Sequence, residues 1–404
     1  MTNLLVITDL LPTPDRNSAD FRFVRLLGML AGTHGVWLCA LGQARQAEVI
    51  GAEAVGRYRN ELAGLGVQLF DGSATAALQA RGYAAVLFEW HFPAKALIEQ
   101  VRLLQPRARL IVDSVDVVFH RLEAKARVTG RAEDAEKAAR TKAEELAVYA
   151  QADLVITVTD ADAQILRAEV PATPTFTIPN IHPLEEPVTV AAAGAAQLLF
   201  IGSYARPGGE TNIDAMRYFC GDVLPLVVAA VPEVRLRIVG GPRNPDIDAL
   251  ASTHVEVLGF VPETRPFVQT SAISIAPLRF GGGMKGKIGE AMSFGLPVVT
   301  TTTGIEGFGL TPGEHALVGD TPRAFADHVV ALLRDAALRQ RVGLAGHRFI
   351  SDHYSDVAVQ ARVQTLFAQL DRYPVKPLSL ARRTRGRLQA AWQRRVGWRL
   401  RAGG

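Results

Sequence analysis

The feature that most constrains this fold is an alternation. Short apolar runs rich in β-branched residues recur along the chain, each separated from the next by a helical stretch, which is the pattern of parallel sheets with crossover helices. In the first half, strands are expected at 4–10, 36–42, 67–70, 85–90, 109–114, 154–159 and 175–179. A helix over about 121–150, dense in Ala, Glu, Lys and Arg, lies between the fifth and sixth. A Pro- and Ala-rich linker follows at 178–197, and the alternation then begins again, with strands at 198–203, 236–241, 255–260, 273–278, 297–302 and 315–320. Helices are expected at about 322–334, 336–349 and 356–371. Six strands with intervening helices make a complete doubly wound domain, so the expected class is α/β with two Rossmann-like doubly wound domains. Two such domains in tandem leave a cleft where the carboxyl ends of both sheets face one ligand. Neither half has G-x-G-x-x-G after its first strand, which weakens a dinucleotide reading.

Composition adds limits. A hydrophobic content of 48% with 21% charged residues is that of a soluble globular chain, and 404 residues suffice for two domains. Met1 to Asn3 carries no basic leader and no apolar run reaches membrane-spanning length, so the expected location is cytoplasmic. Cys39 and Cys220 lie far apart without metal-ligand spacing and read as reduced, buried residues; no metal site is expected. The net charge of +4 misleads: nine Lys/Arg and no acid fall in 373–404, leaving 35 of the 44 basic residues against 40 acidic ones, a body charge of −5. The body therefore gives no argument for nucleic-acid binding.

The stretch from Ala276 to Gly304 carries the chemistry. Gly281 to Lys287 spells G-x-x-x-x-G-K, but a triphosphatase loop needs Ser or Thr next, where this chain has Ile288, and such loops follow a first strand rather than a fourth. Anion binding does not need that hydroxyl. Glycines 281, 282, 283 and 286 let backbone N–H groups approach an anion, a helix N-terminus adds about half a positive charge, and Lys285 and Lys287 can neutralise the rest. The plain alternative is a flexible turn with solvated lysines. Glu290 is either a glutamate favoured by the helix dipole or a bidentate acceptor for a ribose diol.

With these residues in view, "GEAMSFGLPVVTTTTGIEG" after a strand and a Gly-rich turn resembles the donor-nucleotide signature of the retaining, GT-B-fold glycosyltransferases of family 4, also called group 1. The likeness continues in "LLFIGSYARPGGETNIDAMRYFCGDVLP", "PEVRLRIVGG" and "VEVLGFVPE", and in "ADLVITVTDADAQIL" and "FTIPNIHP" of the first half. "VITDLLPTPDRNSADFR" and "RLIVDSVDVVFHR" resemble a branch that builds bacterial surface polysaccharides.

The resemblance implies an acceptor-side domain over 1–185, a donor domain over 186–352, a helix over 353–372 returning to the first domain, and a basic tail over 373–404. It also implies metal-independent transfer from a nucleotide-diphosphate sugar, which is a substrate, with no further cofactor. Glu290, matching the second glutamate of the family's E-x7-E, would hold the ribose. The turn residues Gly281, Gly282, Gly283, Met284, Lys285 and Gly286, with Lys287, would hold the diphosphate. Gly202, Ser203, Phe260 and Val261, at strand ends of the donor domain, would line the nucleotide site.

Three departures stand out. The first glutamate of E-x7-E falls on Gly282; the basic pair after the first donor-domain strand is reduced to Arg206; and the histidine of the branch's D-x-H, counted from Asp116, falls on Val118, the nearest histidine being His120. Candidate catalytic residues are accordingly Lys287, Arg206, His120 and Asp116.

Acceptor-side candidates are Asp15, Arg16, Ser18, Arg22 and His91. Asn17 or Ser18 has the plainer reading of a helix N-cap. Glu89 and His91 form either a pair suited to base catalysis or a strand-end hydrogen bond, and Glu306 is a donor-side candidate ranked below Glu290. The tail, with Leu388, Trp392, Val396 and Leu400 at four-residue spacing among arginines, suggests peripheral contact with an anionic membrane, which suits a saccharide or lipid-linked acceptor. The alternatives are a non-catalytic GT-B-like partner in a polysaccharide assembly and a GT-B nucleotide-sugar epimerase.

Overall fold

The computed structural model describes residues 2–188, 196–204 and 209–377. The alternation resolves into two wholly parallel sheets. The first contains β1 (Asn3–Thr8), β2 (Gly35–Ala40), β3 (Gln68–Leu69), β4 (Ala85–Glu89), β5 (Arg109–Asp113), β6 (Leu154–Thr157) and β7 (Thr175–Thr177). The second contains β8 (Gln197–Ile201), β9 (Arg235–Val239), β10 (Val255–Gly259), β11 (Ile273–Ala276), β12 (Val298–Thr300) and β13 (Leu317–Val318). Their orders are β3-β2-β1-β4-β5-β6-β7 and β10-β9-β8-β11-β12-β13. Both reverse direction beside the first strand of the sheet, between β1 and β4 and again between β8 and β11. Those are the switch points at which open α/β sheets bind ligands.

The central strands are near-continuous Val, Ile and Leu because helices cover both faces. One face of the first sheet packs Leu4, Val6, Ile111 and Ile156 under the helix Ser18–Ala31; the other packs Leu5, Ile7, Val86 and Leu110. The second sheet divides likewise, with Phe200, Ile238 and Ile275 on one side and Leu199, Val239, Val298 and Ile288 on the other.

The expected helix over 121–150 is two helices, Val118–Thr129 and Ala132–Tyr149. Gly130, with φ of 65°, ends the first in the left-handed conformation and its N–H bonds Ala126 O. The expected 336–349 helix runs on to Tyr354, and the following helix, Asp356–Ala368, stops short of 371. Val359, Val363, Leu366 and Phe367 of this last helix are buried with Phe23, Leu26 and Leu27 of the first lobe, which ties the end of the chain to its beginning. Beyond it, Lys376 N–H donates to Asp153 Oδ1 at 2.6 Å and its ammonium to Thr173 Oγ1 at 2.6 Å. The basic tail beyond 377 and Arg206 lie outside the described residues. Among the described residues no helix is long and apolar enough to cross a membrane.

Candidate functional site

The glycine turn sits at the switch point of the second sheet. Thr301 Oγ1 donates to Leu278 O at 2.6 Å and fixes the exit of the chain from β11. Gly283 then takes φ of 54°, a left-handed conformation that glycine adopts without strain, and the helix Gly286–Ser293 starts with no side chain capping it. Lys287 and Glu290 stand three residues apart on that helix, hence on one face. Lys287 Nζ donates to Asn212 Oδ1 at 2.7 Å, and Asn212 Nδ2 donates to Ser203 O at 2.7 Å. Asn212 lies on the helix Glu210–Tyr218 that follows β8, so this chain of bonds spans the switch point. Glu290 Oε1 accepts from Thr264 Oγ1 at 2.6 Å. Lys285, only 7% exposed, places its ammonium 3.5 Å from Glu306.

Burial sets the electrostatics. Lys287 is lowered to about 8, chiefly by desolvation and then by the Lys285 charge, with Glu290 opposing. Glu290 is raised by desolvation against its Thr264 bond and Lys287, and Lys285 is lowered by desolvation against Glu306, Asp162 and Asp116. A lysine whose folded value lies below its unfolded one resists charging in the fold, and that penalty fades as pH rises from about 8 towards the ordinary lysine value. An anion held by the ammonium feels the opposite trend. Binding of an anion at this turn, probed with inorganic pyrophosphate by calorimetry from pH 6.5 to 9.5, is therefore expected to weaken above pH 8 by up to about tenfold per pH unit. Lys287→Ala should flatten that dependence.

The first lobe closes directly over the turn. A side chain at Gly282 would run into Asp116 Oδ1 and come within 2.9 Å of Arg121 Cβ; one at Gly283 would meet Val115 O and Val158 Cγ2 at 3.5 Å. Ser18 lies against Gly286, His182 against Gly289 and Thr159 against Gly307, all too close for a Cβ. Asn180 Nδ2 donates to Met284 O at 3.2 Å. The carboxyl ends of the two sheets therefore meet, and at 282 the first lobe occupies the place a side chain would take.

Several candidates stand elsewhere than expected. Arg22 is not at the cleft surface. It is fully buried, pairs with Asp113 Oδ2 at 2.7 Å, and donates to Ile178 O at 2.8 and 3.2 Å and Pro179 O at 3.2 Å, so the hinge carbonyls and a strand-end carboxylate use its guanidinium. His91 does not pair with Glu89. Its Nδ1 lies 3.5 Å from Glu145, and burial lowers it to about 4. Glu145, raised to about 7 by desolvation, instead receives the N–H groups of Val118 and Phe119 at 3.2 and 2.7 Å and so caps the helix that follows Asp116. His120 is half-buried on that helix, but the residue whose Cβ reaches Gly282 is its neighbour Arg121.

Asp15 accepts from Tyr58 at 2.6 Å and Arg57 at 3.0 Å, and Arg16 Nε donates to Tyr58 at 3.4 Å, so these two are tied to the helix Ala52–Gly64. Phe260, 57% exposed at the end of β10, and Val261 lie beside the end of β9, where Gly241 O accepts from Tyr204 N–H at 3.0 Å. Asn212 and Thr264 were not anticipated; polar residues soon after a strand end on the side of the Gly-rich turn were the available signal. Arg121 ends the stretch 109–121 that carries the family likeness but was not among the named candidates.

Residues 195–335 match the family model described as "Glycosyl transferases group 1". Over 171 residues the chain is 23% identical to an uncharacterized 44.6 kDa protein in the cps region of Klebsiella pneumoniae, a match covering 40% of this chain and 43% of that protein, less than half its length. Among solved structures, sucrose-phosphate synthase of Thermosynechococcus elongatus aligns at a TM-score of 0.68 and 18% identity, over 92% of this chain and 100% of that one. The Anabaena protein HepE, solved with UDP and glucose, aligns at 0.63 and 14%, over 91% and 100%. A TarM variant of S. aureus, solved with fondaparinux, α-GlcNAc-glycerol and UDP, aligns at 0.57 and 15%, over 72% and 58%. Two parallel Rossmann-like sheets meeting at their carboxyl ends thus make this a GT-B fold, and its second lobe is similar to the group 1 glycosyltransferases.

Proposed function

We propose that the protein transfers a glycosyl group from a nucleotide-diphosphate sugar to a saccharide or lipid-linked acceptor, without metal and with retention, as a family 4-type enzyme of bacterial surface-polysaccharide assembly. The observation that carries this reading is Lys287 and Glu290 one helical turn apart, directly behind a glycine turn at the sheet's switch point. The amides of 281–283, the N-terminus of the helix and Lys285 with Lys287 hold the diphosphate. Glu290, kept in place by Thr264, accepts from the ribose hydroxyls. Phe260 and Val261 border the base, with Gly202 and Ser203 beside the phosphates.

As the bond from the anomeric carbon to the diphosphate oxygen lengthens, negative charge grows on that oxygen. A lysine fixed in a dry cleft stabilises it more than it stabilises the ground state. Ser18 and the turn after β5 face the same space from the first lobe and border the acceptor. In this reading 1–185 is the acceptor-side domain, 186–352 the donor domain and 353–372 the return helix, while the tail from 373 meets the anionic inner face of the membrane.

The reading is supported by relatives of the same fold solved with UDP, and with UDP-glucose. A thermal-shift panel of UDP, GDP, ADP and dTDP sugars tests it, because a bound donor stabilises the native state. Glu290→Ala is expected to weaken binding of the best donor by about 10–100-fold, the loss of hydrogen bonds to a charged group, with little change in unliganded melting temperature. Normal donor affinity in that variant removes the ribose assignment. Release of nucleotide only when acceptor is present separates a transferase from a non-catalytic partner, and interconversion of the donor sugar would identify an epimerase.

A further inference from the structure

We propose that Asp116, a residue of the first lobe, is itself a ligand of the transferred sugar, reaching it from across the cleft above Gly282; this rests on the reading of the glycine turn as a diphosphate cradle. One oxygen of this carboxylate has no partner within the protein. Val115, immediately before it, is a β-branched residue at φ of 55°, a conformation that side chains of this kind adopt only under constraint from their surroundings. The turn is fixed on both sides: Asp116 N–H donates to Ser114 O at 2.5 Å, Ser114 Oγ donates to Ile156 O at 3.0 Å, and Glu145 caps the following helix. Arg121 Nε donates to Asp116 Oδ2 at 2.7 Å. That leaves Asp116 Oδ1, shut away from solvent with no hydrogen-bond partner, aimed at the glycine turn of the opposite lobe.

A buried carboxylate oxygen without a donor calls for one. Phosphate oxygens have no proton to give and would repel it, whereas sugar hydroxyls donate. The unit it suits is therefore the sugar beyond the diphosphate rather than the diphosphate itself. Lys285, whose ammonium is held between Glu306 and the charges of Asp162 and Asp116, offsets the negative charge brought to this point. Gly282 is the counterpart of Asp116. A Cβ there would collide with Oδ1 and come within 2.9 Å of Arg121 Cβ, so a side chain at 282 excludes the present seats of both residues. In this arrangement the oxygen is closed off from solvent, so the lobes must part for a sugar to reach it, which couples recognition of the glycosyl unit to lobe movement.

The test uses two variants of the full-length protein, Asp116→Ala and Gly282→Glu. Calorimetry gives affinities for UDP, GDP, ADP and dTDP and for the glucose conjugate of each, and thermal unfolding is followed without ligand. The quantity read is the affinity of the conjugate relative to its own diphosphate, for the pair that wild type binds best. Asp116→Ala should lower that ratio at least tenfold while diphosphate affinity stays within threefold. Gly282→Glu should lower the melting temperature, because its side chain meets both Asp116 Oδ1 and Arg121 Cβ. An unchanged ratio in Asp116→Ala overturns the proposal. So does an equal loss for diphosphate and conjugate, which would mark a structural latch. If wild type binds none of the diphosphates, the donor cradle itself is wrong; if it binds one and the ratio does not move, only the role of Asp116 falls.

Discussion

Replacing Lys287 with alanine is expected to cut turnover by about 10²–10³-fold, the usual effect of removing one preorganised group that stabilises developing negative charge. The loss should appear mainly in kcat. Lys285, the turn amides and the helix N-terminus still bind a ground-state diphosphate, whereas the charge that builds during bond breaking loses its nearest fixed partner. The geometry makes this sharper than for a surface lysine. The Lys287 ammonium is anchored to Asn212, which is anchored to Ser203 O, so its position is set by the two strands flanking the switch point rather than by its own flexible stem. Lys287→Arg should not rescue, since a planar guanidinium cannot take the place of an ammonium in that socket. Steady-state release of nucleoside diphosphate from the best donor checks both variants. Turnover within threefold of wild type in Lys287→Ala would remove it from the reacting centre.

What was legible in the sequence follows from what a sequence encodes locally. Parallel strands buried on both faces are apolar throughout and are joined by crossover helices, so the central strands of both sheets could be read as runs of Val, Ile and Leu. The glycine turn was legible for the same reason, as a residue type forced by a local conformation. Boundaries were less so: Gly130 ends a helix within a stretch whose composition is helical on both sides, and only its left-handed φ marks the break. Least legible were relations across the cleft. Gly282 looked like a lost glutamate from within its own segment, and the side chain that fills the space over it lies 166 positions earlier, at Asp116. His91 and Glu89 looked like a pair because they are neighbours in sequence, but the first helical residue and the last strand residue point to different partners, and the partner of His91 comes from the helix Ala132–Tyr149. Asn212 and Thr264 were missed because an amide or a hydroxyl after a strand end looks the same whether it orients a lysine or faces solvent.

Arg22 shows the same limit, and its expected effect is on stability rather than binding. Arg22→Ala should destabilise the protein by about 3–5 kcal/mol, the cost of leaving a buried charge unpaired, seen as a lower urea midpoint. Asp113 is fully buried and receives Arg22 on one oxygen, while its other oxygen has no hydrogen-bond partner. Glu89, beside it, is raised well above the ordinary carboxylate value, by desolvation first and then by Asp20 and Asp113, and the Arg22 charge works against that rise. Removing the guanidinium therefore leaves two buried carboxyl groups facing each other and frees the carbonyls of Ile178 and Pro179, the point at which the chain leaves the first sheet for the second. Arg16→Ala, a change at an exposed residue of the same loop region, should stay within about 0.5 kcal/mol. If Arg22 served the acceptor instead, its alanine variant would keep the wild-type urea midpoint and lose only activity. Replacing both partners, Arg22→Met with Asp113→Leu, should recover part of the single-variant loss, because an apolar pair has no charge to desolvate; a double variant as unstable as the single would mean that the hinge carbonyls, and not the ion pair, are what Arg22 chiefly serves.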